Sequence, residues 1–169
     1  MLKLLLLNKN SKSEFFENKS VGIGYYESPI GLIKISSNKK GITGLGFVDT
    51  FFDEIHNEYI KESQKQLKEY FDKKRTEFDI PVCLFGTDFQ LRVWEKLTTI
   101  DYSKTATYKD IASLLGDSKA TRAVGGANNK NPIAIIIPCH RIIGSSGKLV
   151  GYAGGMEKKQ WLLNHERNT

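Results

Sequence analysis

Cys139, His140 and Arg141 stand in a row directly behind Pro138. A thiol reacts as its thiolate, and cationic neighbours favour that form, so the triplet suits nucleophilic attack by sulfur. The competing reading is a structural cysteine, because cysteine is among the most buried residue types and Ala134, Ile135, Ile136 and Ile137 form an apolar run just upstream. Two features favour reactivity. Pro138 has no N–H to donate and a fixed φ, so it ends regular pairing and places Cys139 at a break in the backbone. Residues 145–155 are rich in glycine and serine, as suits a loop folding over a pocket. The triplet also makes a geometric demand. On a continuing strand Cys139 and His140 point to opposite faces, so cooperation needs a backbone turn at Cys139 or a water between them.

The elements that must position this triplet fall into two parts. In the first, residues 21–26, 32–36 and 42–48 read as strands joined by the turn signals Ser28-Pro29-Ile30-Gly31 and Asn38-Lys39-Lys40-Gly41. Such short connections imply an antiparallel meander. Gly22 and Gly24 do not complete a dinucleotide fingerprint, since Glu27 stands at the third glycine position. Residues 52–74 carry apolar side chains mainly at helical spacings and predict an amphipathic helix over one sheet face. Cys83 lies among apolar neighbours and reads as structural. Gly86 marks the junction, giving a domain over residues 1–85 and a second over 86–169. In the second part, Thr87 to Gln90 fits a capping box. Thr107 caps a helix over 108–115, Gly116-Asp117-Ser118 breaks it, and 119–128 resumes it, a helix-turn-helix pattern. Gly125 and Gly126 cost that second helix about 1 kcal/mol each relative to alanine, which close approach to another surface would explain.

Composition is ordinary for a globular chain, with 40% hydrophobic and 26% charged residues. The net charge of +6 is uneven: residues 1–100 hold 15 Lys/Arg against 14 Asp/Glu, and residues 101–169 hold 10 against 5. The basic excess therefore accompanies the thiol and favours a polyanion. The two cysteines and three histidines are scattered, so no metal cluster is predicted. The Leu4–Leu7 run is too short to span a membrane and lacks a cleavage site, which points to a reducing cytoplasm. Residues 8–20 read as a polar lead-in.

Pro138-Cys139-His140-Arg141 resembles the active-site signature of the O6-alkylguanine-DNA alkyltransferases. The resemblance extends, in order and spacing, through Phe89-Gln90-x-x-Val93-Trp94, Thr107-Tyr108-x-x-Ile111-Ala112, Arg122-Ala123-Val124-Gly125-Gly126-Ala127, Asn131-Pro132, Gly151-Tyr152-Ala153-Gly154-Gly155 and Trp161-Leu162-Leu163-x-x-Glu166. It implies an α+β chain: a small α/β domain with a short antiparallel sheet, ribonuclease H-like, then a mostly helical domain with the helix-turn-helix. It implies direct-reversal repair, with an O6-alkylguanine flipped out of double-stranded DNA and its alkyl group moved irreversibly onto Cys139, one turnover per chain. His140 would take the thiol proton through a water and Glu166 would orient His140. Tyr108 would serve the leaving base, and Asn131 would brace the pocket loops. The carbonyls of Cys139 and Ile142 would accept from the guanine amine, with Tyr152, Ala153, Gly154 and Gly155 lining the pocket. Arg122 would fill the gap left by the flipped base. Lys119, Ala123, Gly125, Gly126, Ala127, Asn128 and Arg141 would complete a minor-groove DNA surface, Asn128 and Ala153 also standing at variable pocket positions. The chain would act as a monomer without cofactor or membrane. Some relatives hold a structural zinc in the first half; with only His56 and Cys83 there, none is predicted.

Three other classes remain open at this level: a non-catalytic damage-binding relative, which would lack the cysteine; a helix-turn-helix regulator, which leaves residues 138–141 unexplained; and a Cys–His hydrolase, which would turn over repeatedly.

Overall fold

The computed structural model of the chain describes residues 2–8 and 21–168, so most of the predicted lead-in lies outside the described residues. The fold is α+β and divides into two compact units, Met1–Thr87 and Asp88–Thr169.

In the first unit, β2 (Gly22–Ser28), β3 (Gly31–Ser37) and β4 (Ile42–Phe47) form the expected antiparallel meander. The sheet is larger than that meander. β1 (Leu4–Asn8) and β5 (Val82–Gly86) extend it on one side in the order β1-β5-β4-β3-β2, and β5 runs parallel to both β1 and β4. A parallel neighbour needs a long crossover, and helix α1 (Glu58–Phe71) supplies it between β4 and β5. The apolar run at Val82, Cys83 and Leu84 is buried, as fits a strand covered on both faces.

Helix α1 is shorter than its predicted span of 52–74. Asn57 starts it, its side chain accepting from Ile60 N–H, and the chain before it is extended: Ile55 exchanges backbone hydrogen bonds with Ile23 at 2.8 and 2.9 Å. Ile55, inside the predicted helical span, is 56% exposed; Ile60, Leu67, Tyr70 and Phe71 are the side chains that close the core over β2 and β3.

The second unit is built from α2 (Asp88–Leu97), α3 (Tyr108–Leu114), α4 (Thr121–Asn129) and α5 (Met156–Arg167), with the two-residue strands β6 (Ala106–Thr107) and β7 (Ile142–Ile143) pairing in parallel. Thr107 and Asp110 form a capping box at the start of α3. Gly116, at φ +86°, turns the chain toward the 3-10 turn Ser118–Ala120 that leads into α4. Helix α2 clamps both members of this helix-turn-helix. Arg92 Nη2 donates to Leu115 O (3.0 Å) at the end of α3, and the buried Trp94 Nε1 donates to Ala127 O (2.9 Å) within α4. Those two bonds give the Phe89–Trp94 segment its structural purpose.

Candidate active site

Residues 131–138 form no strand. Ile137 N–H donates to Ile133 O at 3.1 Å, Ile136 N–H to Ala134 O at 2.8 Å and Cys139 N–H to Ile137 O at 2.8 Å. The last two bonds close three-residue γ-turns centred on Ile135 and Pro138. Pro138, at φ −81° and ψ 60°, adopts the relaxed inverse form. Ile135, at φ +69°, adopts the strained one, a true outlier for a β-branched residue. Such a conformation costs on the order of 1–3 kcal/mol and persists only where its surroundings impose it. Asn131 imposes it. Its Nδ2 donates to the carbonyls of Ile137 (2.8 Å) and Ile133 (3.3 Å), while its Oδ1 accepts from Ile133 N–H (3.0 Å). Behind Pro138 the chain winds into a single 3-10 turn, Cys139–Arg141. Successive side chains of such a turn diverge by about 120° rather than 180°. The backbone turn demanded by a Cys139–His140 partnership is therefore present.

Helix α5 supplies the partner for His140. Its buried stripe, Lys159, Leu162, Leu163 and Glu166, follows the i, i+3, i+4, i+7 pattern of one helix face, with a charged group at either end. Glu166 Oε1 lies 2.8 Å from His140 Nε2, and His140 is fully buried. A carboxylate can only accept, so Nε2 carries the hydrogen and Nδ1 is left bare. Nδ1 is buried with no protein hydrogen-bond partner. Burial lowers the His140 pKa against the pull of Glu166, which leaves the ring neutral and its Nδ1 able to take a proton.

Arg141, predicted for the DNA surface, belongs instead to this buried network. It is 7% exposed, and its guanidinium grips Glu166 through Nε to Oε2 (2.9 Å) and Nη2 to Oε1 (3.0 Å). Its Nη1 donates to Ile100 O at 2.6 Å, and Ser103 N–H adds a further bond to Glu166 Oε2 at 3.1 Å. A guanidinium engaged on both edges inside the protein has no fork left for phosphate. Burial pushes the Glu166 carboxyl up, but the bonds and charge from His140 and then Arg141 outweigh it and hold it well below the usual carboxylate range.

Cys139 itself is 5% exposed. Burial pushes its thiol up to about 11, with the side chain of Asn131 and then the charge of Lys159 pulling the other way. The hydroxyls of Tyr108 and Tyr152 both have raised pKa values, first from burial and then from Cys139, which places them within electrostatic reach of the sulfur. The Tyr152 hydroxyl is buried without a partner, as is Oδ1 of Asn128. The Tyr108 hydroxyl donates to Val150 O at 2.9 Å. Of the buried side-chain polar atoms without a partner among the described residues, three of four (Asn128 Oδ1, His140 Nδ1, Tyr152 hydroxyl) thus belong to the surroundings of Cys139. Buried polar atoms are nearly always satisfied, so such a cluster marks a place where a ligand completes the set.

The other predicted residues separate by side. On α4, Arg122, Ala123 and Gly126 are exposed and Gly125 is half-buried, with Lys119 exposed on the preceding turn. A Cβ at Gly126 would meet nothing within 4 Å, and one at Gly125 would make only ordinary contact with the Tyr108 ring at 3.8 Å. Packing within the unit requires neither glycine. Ala127 and Asn128, predicted for the DNA surface, face inward: both are buried, and Asn128 Nδ2 lies 3.5 Å from the Cys139 carbonyl. That carbonyl also accepts from Ile142 N–H. Ile142 is buried in β7, while Ala153 and Gly155 are exposed and Gly154 half-buried in the loop before α5. Sequence reasoning missed Lys159, whose side chain is fully buried and whose Nζ donates to Val150 O (2.8 Å) and Gly151 O (3.3 Å). The signal was present as a lysine standing in the apolar stripe of α5. Among the described residues no group of three or more His, Cys, Asp or Glu side chains is placed to hold a metal ion, and no helix is long and apolar enough to cross a membrane.

The buried pair has a consequence for stability. His140 is held below its unfolded value of about 6.5 and Glu166 below about 4.3. At pH values under either figure the unfolded chain binds a proton that the folded chain refuses, so both groups destabilise the fold on acidification. The thermal midpoint is expected to fall as pH drops from 7.5 to 5.5, and His140→Gln should flatten that part of the curve. A midpoint that holds steady or rises over this interval would contradict the assignment of a neutral His140.

Comparison with known proteins gives matches over both units. The domain described as "6-O-methylguanine DNA methyltransferase, ribonuclease-like domain" matches residues 22–84, and "6-O-methylguanine DNA methyltransferase, DNA binding domain" matches residues 88–168. The chain is 49% identical over 150 residues to a methylated-DNA–protein-cysteine methyltransferase of Methanosarcina barkeri, covering 85% of this chain and 95% of the relative. A protein of the same name from Mycolicibacterium paratuberculosis is 45% identical, at 83% and 89% coverage. Among solved structures, the O6-methylguanine methyltransferase of Mycobacterium tuberculosis superimposes with a TM-score of 0.78 at 42% identity, covering 86% of this chain and 93% of that one. The same organism's protein in complex with DNA gives a TM-score of 0.79 at 43% identity, at 85% and 92% coverage.

Proposed function

The chain belongs to the 6-O-methylguanine DNA methyltransferase family, and on that footing we propose that it repairs O6-alkylguanine in double-stranded DNA by moving the alkyl group onto Cys139. The observation that carries the assignment to these residues is the buried His140 ring, fixed at Nε2 by Glu166 and left with an unpartnered Nδ1 one residue from a buried thiol. His140 Nδ1 removes the Cys139 proton through one water molecule. The thiolate attacks the alkyl carbon, an S–C bond forms, the C–O6 bond breaks, and its electron pair stays on the guanine. Tyr108 donates its hydroxyl proton to the departing base, so that neutral guanine leaves. The resulting imidazolium and phenolate return to neutrality through solvent.

The reacting carbon is out of reach in a stacked duplex, so the nucleotide must be flipped into the pocket. Helix α4 serves this step from the minor groove. Arg122 fills the vacated stack, Gly125 and Gly126 allow the backbone to approach, and Lys119 with Ala123 completes the contact surface. Such contacts carry little base information, as suits damage that arises at any sequence. The Cys139 carbonyl and the Ile142 carbonyl receive the guanine amine, while residues 152–155 close over the base. We place the reaction in the cytoplasm, where thiols stay reduced.

A thioether is inert to thiol exchange, so each chain acts once. The test is stoichiometric. With excess duplex carrying labelled O6-methylguanine, label on protein should plateau at one per chain, and Cys139→Ala should accept none. Transfer continuing past one equivalent, or label retained by Cys139→Ala, would overturn the assignment and return the hydrolase reading.

A further inference from the structure

We propose that Lys159 is a positioning residue for the Tyr108 hydroxyl: it holds the Val150–Gly151 backbone so that Tyr108 can leave the Val150 carbonyl for the departing guanine. This rests on the alkyl-transfer reading above and extends it to a residue that no sequence motif marked. In the free protein the hydroxyl that must serve the leaving base is already committed, donating to Val150 O at 2.9 Å. The same oxygen accepts from Lys159 Nζ at 2.8 Å, and Nζ also reaches Gly151 O at 3.3 Å. A carbonyl oxygen has two lone pairs, so both donors fit at once. When Tyr108 swings away, Val150 O keeps a charged donor and is not left unsatisfied. The exchange then trades one hydrogen bond of Tyr108 for another.

The surroundings support a dedicated arrangement. Gly151, at φ +48°, lies against the phenol; a Cβ there would sit 3.8 Å from the Tyr108 oxygen. Lys159 is fully buried, where an apolar side chain of similar length would fill the space without desolvating a charge. Burial lowers its pKa to about 8 against the pull of Cys139, so retaining an amine here asks for a chemical reason. The two carbonyls it holds provide one. Lys159 also stands two turns from Glu166 on one face of α5, so a single helix orients both the His140 side and the Tyr108 side of the pocket.

A double-mutant cycle tests the proposal, with two probes of Cys139: free O6-benzylguanine, which needs a protonated leaving group, and iodoacetamide, which needs only the thiolate. Lys159→Met is expected to slow the benzylguanine reaction about 10-fold more than the iodoacetamide reaction. In a Tyr108→Phe background that excess should disappear, because no hydroxyl remains to be released. Equal losses toward both probes, or an excess that persists without the Tyr108 hydroxyl, would overturn the proposal and leave Lys159 acting on the thiol alone. If Lys159→Met does not fold by circular dichroism, Lys159→Gln carries the same cycle; its carboxamide keeps uncharged N–H donors and should retain more benzylguanine reactivity. Failure of the alkyl-transfer reading itself would show separately, as a wild-type protein that takes no label from methylated duplex.

Discussion

Glu166→Gln is expected to slow alkyl transfer by about 100-fold or more and to lower stability by about 3–5 kcal/mol. The two effects share one cause. Glu166 accepts from His140 Nε2, from both Nε and Nη2 of Arg141, and from Ser103 N–H. A carboxamide has one accepting oxygen where the carboxylate has two, and its amino group would face donors already in place. The His140 ring then loses the bond that keeps its hydrogen on Nε2, and Arg141 keeps a buried charge without its counter-ion. The rate is measured as label transfer from methylated duplex at a temperature where circular dichroism shows the variant folded, and stability by urea unfolding. A rate within about threefold of wild type would remove Glu166 from the mechanism, whatever its effect on stability.

Arg141→Leu should separate two readings of an arginine beside the nucleophile. The side chain is 7% exposed and bound to Glu166 and to Ile100 O, so its loss is expected to cost about 3–5 kcal/mol by stranding the Glu166 carboxylate. The dependence of DNA affinity on salt should be unchanged, because no phosphate contact is lost. Lys119→Ala is the counterpart: its side chain is exposed on the turn that leads into α4, and its removal should lower the slope of log affinity against log salt by about 1 with little change in stability. Fluorescence anisotropy on undamaged duplex at several salt concentrations reads the slope, and thermal unfolding reads the rest. A flattened salt slope in Arg141→Leu would restore it to the DNA surface.

Residue types alone pointed to the triplet behind Pro138, the motif resemblance supplied most of the remaining site, and what neither supplied has identifiable reasons. Cys139 and His140 stood out because a thiol and an imidazole follow a proline at the end of an apolar run, but the structural reading of Cys139 gave way only with the wider motif. Glu166 was legible only through the wider motif, since an isolated glutamate on a helix reads as solvated. Lys159 hid for the same reason: lysine in a helix is presumed to face water, and only its register with Leu162, Leu163 and Glu166 betrays it. Arg141 was misplaced on the DNA surface with the residues of α4, whereas its partner lies 25 residues further on, where local reasoning does not reach. Pro138 announced the break before Cys139, but the turn at Ile135 had no local sign. A run of β-branched residues favours extended structure, and here the bonds of Asn131 override that preference. In the sheet, the meander followed from its turns, but the parallel places of β1 and β5 depend on a crossover that leaves no short-range signature.

The depth of Cys139 bears on how long the protein keeps. A nucleophile that reacts once must survive until its lesion arrives, among oxidants and stray electrophiles that consume exposed thiolates. With its sulfur buried and its proton held up to about 11, the residue is almost wholly thiol at rest, the form that such agents attack poorly. Burial of the sulfur and of its proton thus slows the loss of a group that can be spent only once, and the protein keeps as a reagent under seal.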